Sequence, residues 1–288
     1  MIPGGVRWIE HSSRTDELRL YWTADWHIGN RACALEMLQD DLKAIEEDDH
    51  GFWLGGGDFS ECIATDDKRF DPEVVSPDIK VSELGRLGYA LGERVRDLMK
   101  PIAHKCLGLL YGNHEDKYMK SKDAQMLHAW LCHELGVPDL GYSTIFDLRF
   151  RRSGRGGKPP RLVSKSPSSC GDAWSVRVFA HHGAGAAQTP GGKLNTLRKA
   201  MDYFPMADLT LLAHVHEQKV EPSVVLDADR ECTRIVAKTR RGAISGTYLK
   251  TYEDGPATYG EKKLYRPVPL GMTPIYFWPD QRKFRVMA

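Results

Sequence analysis

LRLYWTADWH, residues 18–27, sets a short apolar run, Leu18–Ala24, directly ahead of Asp25-Trp26-His27. An apolar run of this length bounded by polar residues reads as a strand, so the Asp-x-His pair stands at a strand's downstream end. The same construction recurs at four more places. Asp58 follows FWLGGG, Asn113-His114-Glu115 follow CLGLLYG, His181-His182 follow VRVFA, and His214-Val215-His216 follow DLTLLA. Ligands of open α/β sheets bind beyond the carboxyl ends of the strands. Five such ends would gather side chains spread from residue 25 to residue 216 into one crevice.

Outward from these ends, the first half alternates strand and helix. Leu35, Leu38, Leu42 and Ile45 recur at helical spacing, as do Leu84, Leu87, Leu91, Val95 and Leu98 ahead of Pro101. A further helix is expected over 123–135, ending at Gly136, and residues 64–77 read as a loop. Beyond Gly141 strands dominate, at 142–150, 174–180, 208–213, 219–225 and 232–240, with one helical face at Leu194, Leu197, Met201 and Phe204. Residues 151–171, rich in Gly, Pro, Ser and basic side chains, read as a mobile basic loop. The pattern predicts an α/β chain with a substantial antiparallel or mixed part.

The chain has 288 residues, 41% apolar and 27% charged, which are ordinary globular proportions. It holds no 18-residue apolar run, and MIPGGVRWIEHSSR lacks the basic-then-apolar order of a signal peptide. Six cysteines without any CxxC argue against a thiolate zinc knuckle and for small core residues in a reducing cytoplasm. The net charge of +1 hides an asymmetry. Residues 1–150 hold 17 Lys/Arg against 27 Asp/Glu, and residues 151–288 hold 23 against 12. An acidic half suits metal cations and a basic half suits an anionic substrate. Equally, the two halves attract each other across a shared sheet.

Residues at i and i+2 on a strand share a face, and just past it they converge on one point. Carboxylate, imidazole and amide oxygen form a hard-to-borderline donor set suited to Mn²⁺, Fe, Zn²⁺, Co²⁺ or Ni²⁺. Seven or eight such donors suit two ions rather than one. Each piece alone reads as a surface pair, a capping Asn or a core histidine, so the weight lies in their order along the chain. The other candidates are plain. GGKLNT lacks P-loop spacing, no HExxH occurs, and HxE with PCxxC is missing. His11, His50, His104, His128 and His133 read as surface or core residues.

The ordered set Asp25/His27, Gly57-Asp58, Gly112-Asn113-His114-Glu115, His182 and His214/His216 resembles the calcineurin-like metallophosphoesterases, whose pattern is D-x-H, G-D, G-N-H-D/E, H and G-H-x-H. The resemblance covers about residues 18–220, and HHGAGAAQTPGGKLNTL is similar to the stretch in phage and prophage members. It implies a four-layer α/β/β/α sandwich of two mixed sheets with a binuclear metal site at one edge. The whole of 1–288 would be one metallophosphoesterase domain, with residues 221–288 completing the second sheet. One metal would take Asp25, His27, Asp58 and His216, and the other Asp58, Asn113, His182 and His214. His114 would be the general acid, and Glu115 would orient it or settle the local positive charge. Three departures stand out. Ala213 replaces the usual glycine, His181 and His182 compete for one position (His182 directly precedes Gly183), and FSECI follows Asp58 where protein phosphatases continue D-R-G.

The implied chemistry is phosphoester hydrolysis, with two divalent metals lowering the pKa of a shared water and clamping phosphoryl oxygens. Manganese is the first expectation, with zinc, iron, cobalt and nickel as alternatives. The basic stretch 151–165 and Arg234, Lys238, Arg240 and Arg241 favour a nucleic-acid phosphodiester as substrate. Alternatives are a small phosphodiester or phosphate such as a cyclic nucleotide, and a non-catalytic metal-binding protein. No membrane association is expected.

Overall fold

The computed structural model describes residues 1–122, 124, 126–153, 156–165 and 173–287. Strand β2 (Leu18–Thr23) lies parallel to β3 (Gly51–Gly55), which lies parallel to β4 (Cys106–Leu109). All of β3 and β4 is buried, as parallel strands covered on both faces must be. Strands β11 (Thr273–Trp278) and β12 (Lys283–Val286) join antiparallel beside β2, giving the order β12-β11-β2-β3-β4.

The second sheet has the order β6-β1-β5-β7-β8-β10-β9. Its members are β1 (Ile2–His11), β5 (Ser143–Arg152), β6 (Arg161–Val163), β7 (Trp174–His181), β8 (Leu209–Leu212), β9 (Lys219–Ala228) and β10 (Ile235–Ile244). It too is mixed. β1 runs parallel to β5, and β8 runs parallel to both β7 and β10, while the remaining joins are antiparallel.

The period of two along the strands decides which core each side chain enters. Phe52 and Leu54 of β3, with Leu20 and Trp22 of β2, meet Phe146, Leu148, Val178, Leu209 and Leu211 of the second sheet in one cluster. Trp53 points the other way, to Leu38, Leu42 and Ile45 of α1 (Leu35–Glu47), Leu91 and Val95 of α2 (Leu87–Met99), and Leu131 of α4 (Leu127–Leu135). On the outer face of the second sheet, Leu197 and Met201 of α5 (Pro190–Tyr203) cover Leu212 and Ile244. Each fully buried Leu contributes about 1.5–3 kcal/mol relative to exposure.

Three expectations change. Residues 221–288 divide between the sheets, because the inner side chains Ile275 and Phe277 of β11 enter the shared core beside β2. Residues 151–171 are not loop throughout. Arg151 and Arg152 finish β5, and 161–163 pair antiparallel with β1, while 154–155 and 166–171 fall outside the described residues. β1 itself went unread, since Gly4 and Gly5 interrupt its pattern at a register shift between Pro3 and Gly5. The helix expected at 123–135 begins at Leu127, and Asp123 lies outside the described residues. No helix among the described residues is long and apolar enough to cross a membrane.

One buried cation locks the first helix to the sheet. The last carbonyls of a helix lack partners within it. Lys105, only 9% exposed, donates to the carbonyl oxygens of Ile45 (2.8 Å), Glu46 (2.7 Å) and Asp48 (2.9 Å). The Asp48 side chain in turn accepts from Arg19 and from the Tyr21 hydroxyl at 2.8 Å, both on β2. Lys105→Met keeps the apolar stem and strands those carbonyls. It should lower unfolding free energy in urea by about 1.5–3 kcal/mol; an unchanged midpoint would rule out this anchoring.

Candidate metal centre

β2, β3 and β4 are parallel, as are β7 and β8, and the five motifs leave their carboxyl ends. Backbone bonds then stitch the loops together. Asp25 N donates to Gly57 O at 2.9 Å, His27 N to Asp58 O at 3.1 Å, and Ala213 N to His182 O at 3.0 Å. Asp25, His27, Asp58, His214 and His216 all adopt positive φ, five of the nine non-glycine residues that do so among those described. Left-handed backbone is costly outside glycine and persists where surrounding structure enforces it. Here it turns five side chains inward. Between them Gly57 and Gly112 pass so closely that a Cβ on Gly112 would lie 2.0 Å from Asp58 Oδ1.

The donors fall into groups. Asp25, His27 and His216 present ligand atoms within 4.8 Å of one another, and so do Asp58, His182 and His214. Asn113, first residue of α3 (Asn113–Ser121), adds its Oδ1 3.2 Å from His182 Nε2, which is also 3.3 Å from Asp58 Oδ2. His114 lies beside them, its backbone N–H on Asp58 Oδ1 at 2.9 Å.

Partners on the far side of each ring fix which nitrogen is available. A carbonyl oxygen only accepts, so the nitrogen facing it carries the proton. His182 Nδ1–H donates to Gly56 O at 2.7 Å, leaving Nε2 for the cluster. His214 Nε2–H donates to Gly185 O at 3.0 Å, leaving Nδ1. His114 Nδ1–H donates to Glu61 O at 2.6 Å, leaving Nε2. His181 is different. It sits on the outer face of β7 with Phe179, and its Nδ1 accepts from Gly183 N at 2.7 Å. Burial, then the neighbouring His182 and His214, push it down to about 4, so it stays neutral and apart.

The donor set fits cations. Asp25 Oδ1 is buried with no hydrogen-bond partner. His27 Nε2 and His216 Nε2 face each other at 3.3 Å and can share only one proton. Burial opposes charge on His27, yet the hydrogen bond and charge of Glu61, with Asp58 and Asp25, raise it to about 9. His182 is likewise raised to about 9 against burial by Asp58 and Asp25. Burial also opposes ionisation of Asp58, but the surrounding histidines, His182 foremost, hold it well below the usual carboxylate range. Protons on the rings thus supply the positive charge that metal ions would supply.

Two carboxylates act differently from expectation. Glu115 does not touch His114. Its oxygens accept backbone N–H groups of Asp58 (2.9 Å), Gly112 (2.9 Å) and Ser60 (3.0 Å), which makes it a brace for the Asp58 loop. Helix α3 begins at Asn113, so a residue two positions on reaches back to these amides rather than forward to its neighbour. Glu61 was missed. It accepts from His27 Nδ1 at 2.8 Å while its own carbonyl holds His114. Its place three residues after Asp58 was the available signal.

The basic stretch expected to meet substrate lies elsewhere. Ser143 pairs with His181 at the metal edge and Phe150 with Trp174, so Arg151, Arg152 and the 161–163 strand sit at the opposite edge, about 25 Å away. Arg240 and Lys238 hold α5 and its following turn through Met201 O and Met206 O. The cations beside the centre are others. Buried Glu217, next after His216, receives Lys193 (3.4 Å), Lys219 (3.5 Å) and Arg266 (3.4 Å), leaving positive charge in excess.

No protein-family model matches the chain, and no curated protein sequence does. Among solved structures, Vps29 from Entamoeba histolytica complexed with Zn²⁺ aligns at a TM-score of 0.39 and 10% identity, over 90% of this chain and 85% of that one. A conserved uncharacterised protein (predicted phosphoesterase) from Streptococcus pneumoniae TIGR4 aligns at 0.32 and 11%, over 91% and 84%. At these scores neither likeness bears on what the chain does.

Two measurements test the centre. His27 and His182, raised to about 9, hold protons at neutral pH that cations must expel, so apparent metal affinity should climb with pH until above that value. Calorimetric Mn²⁺ titration in buffers of different ionisation enthalpy should register about two protons released at pH 7; none released would contradict the assignment. Glu61→Gln should weaken Mn²⁺ binding about 10–100-fold by removing the charge that orients His27.

Proposed function

We propose that the chain is a metal-dependent phosphoesterase of the calcineurin-like type, acting as a phosphodiesterase on nucleic acid. The observation that carries this reading is the pair of donor groups, Asp25/His27/His216 and Asp58/His182/His214, meeting at one sheet edge with His114 alongside. The fold that goes with it is a four-layer α/β/β/α sandwich formed as a single domain over 1–288, with a binuclear centre at its edge. The shared core and the separate helix-lined cores support that layering.

Asp25, His27 and His216 would hold one ion, and His182, His214 and Asn113 the other, with Asp58 between them. Bound divalent ions supply Lewis-acid polarisation of a phosphoryl group and acidify water. Oxygen and imidazole donors suit manganese first, then zinc, iron, cobalt or nickel. The chain's own contribution is positional. His114 keeps its Nδ1–H on Glu61 O and presents Nε2 to the site; as the imidazolium it would give the Nε2 proton to the departing alkoxide oxygen and return to the neutral Nδ1–H form. Lys193, Lys219 and Arg266 place positive charge next to His216, where a phosphodiester backbone would lie. Free cysteines at 33, 62, 106 and 132 accord with a cytoplasmic setting.

A small phosphodiester such as a cyclic nucleotide is the second reading. It is favoured by the remoteness of Arg151, Arg152 and Arg161, which leaves, among the described residues, a local cation group around Glu217. The deciding experiment is Mn²⁺-dependent hydrolysis of bis-p-nitrophenyl phosphate against the mono-ester. Diester preference is expected, with His114→Ala lowering turnover about 10²–10⁴-fold at unchanged metal content. Loss of metal in that variant would make His114 a ligand, and mono-ester preference would sink the phosphodiesterase reading. On single-stranded DNA the rate should fall steeply with salt, whereas a small substrate would be nearly indifferent.

A further inference from the structure

Away from the sheet edge, a second kind of donor cluster lies between α4 and the loop that follows it. His128 and Cys132 stand one turn apart on α4, the right spacing for one helix face. The helix ends at Gly136, whose positive φ turns the chain back, and Asp139 arrives opposite them. His128 Nε2 is 3.5 Å from Cys132 Sγ and 3.3 Å from Asp139 Oδ1, and all three donors lie within 4.8 Å of one another.

One ring nitrogen offers a single N–H or a single lone pair, directed along one line. If His128 Nε2 donates to Asp139, the thiol faces an N–H. If it accepts from Cys132, it turns a lone pair on a carboxylate. A single Nε2–H is shared only unequally between the Asp139 oxygen and the weakly accepting Cys132 sulfur, whereas a cation among the three is met by one ligand atom from each. The spacings agree. Bonds of about 2.3 Å to sulfur and 2.0–2.1 Å to nitrogen or oxygen at tetrahedral angles separate donors by roughly 3.5 Å and 3.3 Å.

The surroundings hold this cluster in place. His128 and Cys132 are only 4% and 3% exposed. Asp139 is tied to β4 by its bridge with Leu109, by Leu109 N to Pro138 O at 3.0 Å and by Leu140 N to Leu109 O at 2.9 Å. The Asp139 side chain is 36% exposed, which gives a route for metal entry and a fourth position open to water. The rings of Tyr111 and Tyr142 lie between His128 and His182, so this is not an extension of the edge centre.

We infer that His128, Cys132 and Asp139 form a separate binding site for one Zn²⁺, with water as the fourth ligand. Thiolate with imidazole selects a softer ion than the sulfur-free edge set. Bound there, zinc clips α4 to β4, the strand that leads into Asn113 and His114.

Cobalt substitution tests this without any mutation, because a thiolate-to-Co²⁺ charge-transfer band in the near ultraviolet requires a sulfur ligand and the edge donors contain none. The metal-stripped full chain titrated with Co²⁺ should develop that band. It should vanish in Cys132→Ser and in His128→Ala, both still folded by circular dichroism. Zinc-loaded wild type should carry one more metal per chain than Cys132→Ser. Absence of the band from saturated wild type, or its persistence in Cys132→Ser, would overturn the site.

Discussion

Two carboxylates, Asp25 and Asp58, are buried to 0% and 1% at the edge where the sheets meet, and the rest of the centre is arranged around that fact. Taking an ion out of water costs several kcal/mol even after relaxation. Backbone amides offset part of it, His214 N on Asp25 Oδ2 and His114 N on Asp58 Oδ1, both at 2.9 Å. Histidines carry most of the remainder. Asp25 Oδ1 accepts no hydrogen bond, and faces only His216 Nε2 at 3.6 Å. Buried anions facing ring nitrogens that cannot all be protonated make a donor set that suits cations.

Holding that arrangement requires strain and bracing together. Five inward-turned residues occupy left-handed backbone, and no single hydrogen bond could enforce this. The enforcement is collective. The C-terminal segment grips the first loop, Tyr248 N and Thr247 Oγ1 both donating to Asp25 O at 2.9 Å. Glu115 ties the second and third loops through three amides, and burial next to Asp58 raises its own pKa. Removing that brace would therefore act through Asp58, on metal retention, rather than through His114.

Much of this was legible because strand ends are legible. An apolar run followed by a polar ligand type marks position along a strand and needs no knowledge of pairing. The choice of His182 over His181 was also within reach by alternation, since Val176, Val178 and Ala180 all enter the shared core and continue to His182. What resisted reading depends on pairing across the chain. β1 enters the second sheet through partners at residues 144–152 and 161–163, and β11 chooses β2 over the nearer β10. Glu115 adjoins His114 in sequence and Glu61 lies 53 residues before it, yet the start of α3 turns Glu115 onto backbone amides while the path of 58–61 brings Glu61 to His27 and His114.

Charge was the least legible quantity, and the reason bears on how a substrate would approach. Composition counts a basic half, but sheet topology distributes it. Arg151 and Arg152 finish β5 at the end away from the centre, Arg161 meets Glu10 at 2.7 Å, and Arg240 is buried under α5. The cations that do reach the centre come from three distant places, α5, the start of β9 and the 263–270 segment, and share Glu217. Because Glu217 is fully buried, it cannot swing out to release them, so their excess charge is fixed in position beside His216. Arg266 and Lys219 remain 48% and 40% exposed, in contact with water while paired to Glu217. A preplaced charge of this kind costs no reorganisation when an anion binds. Being local, such charge suits a single adjacent anionic group better than an extended polyanion.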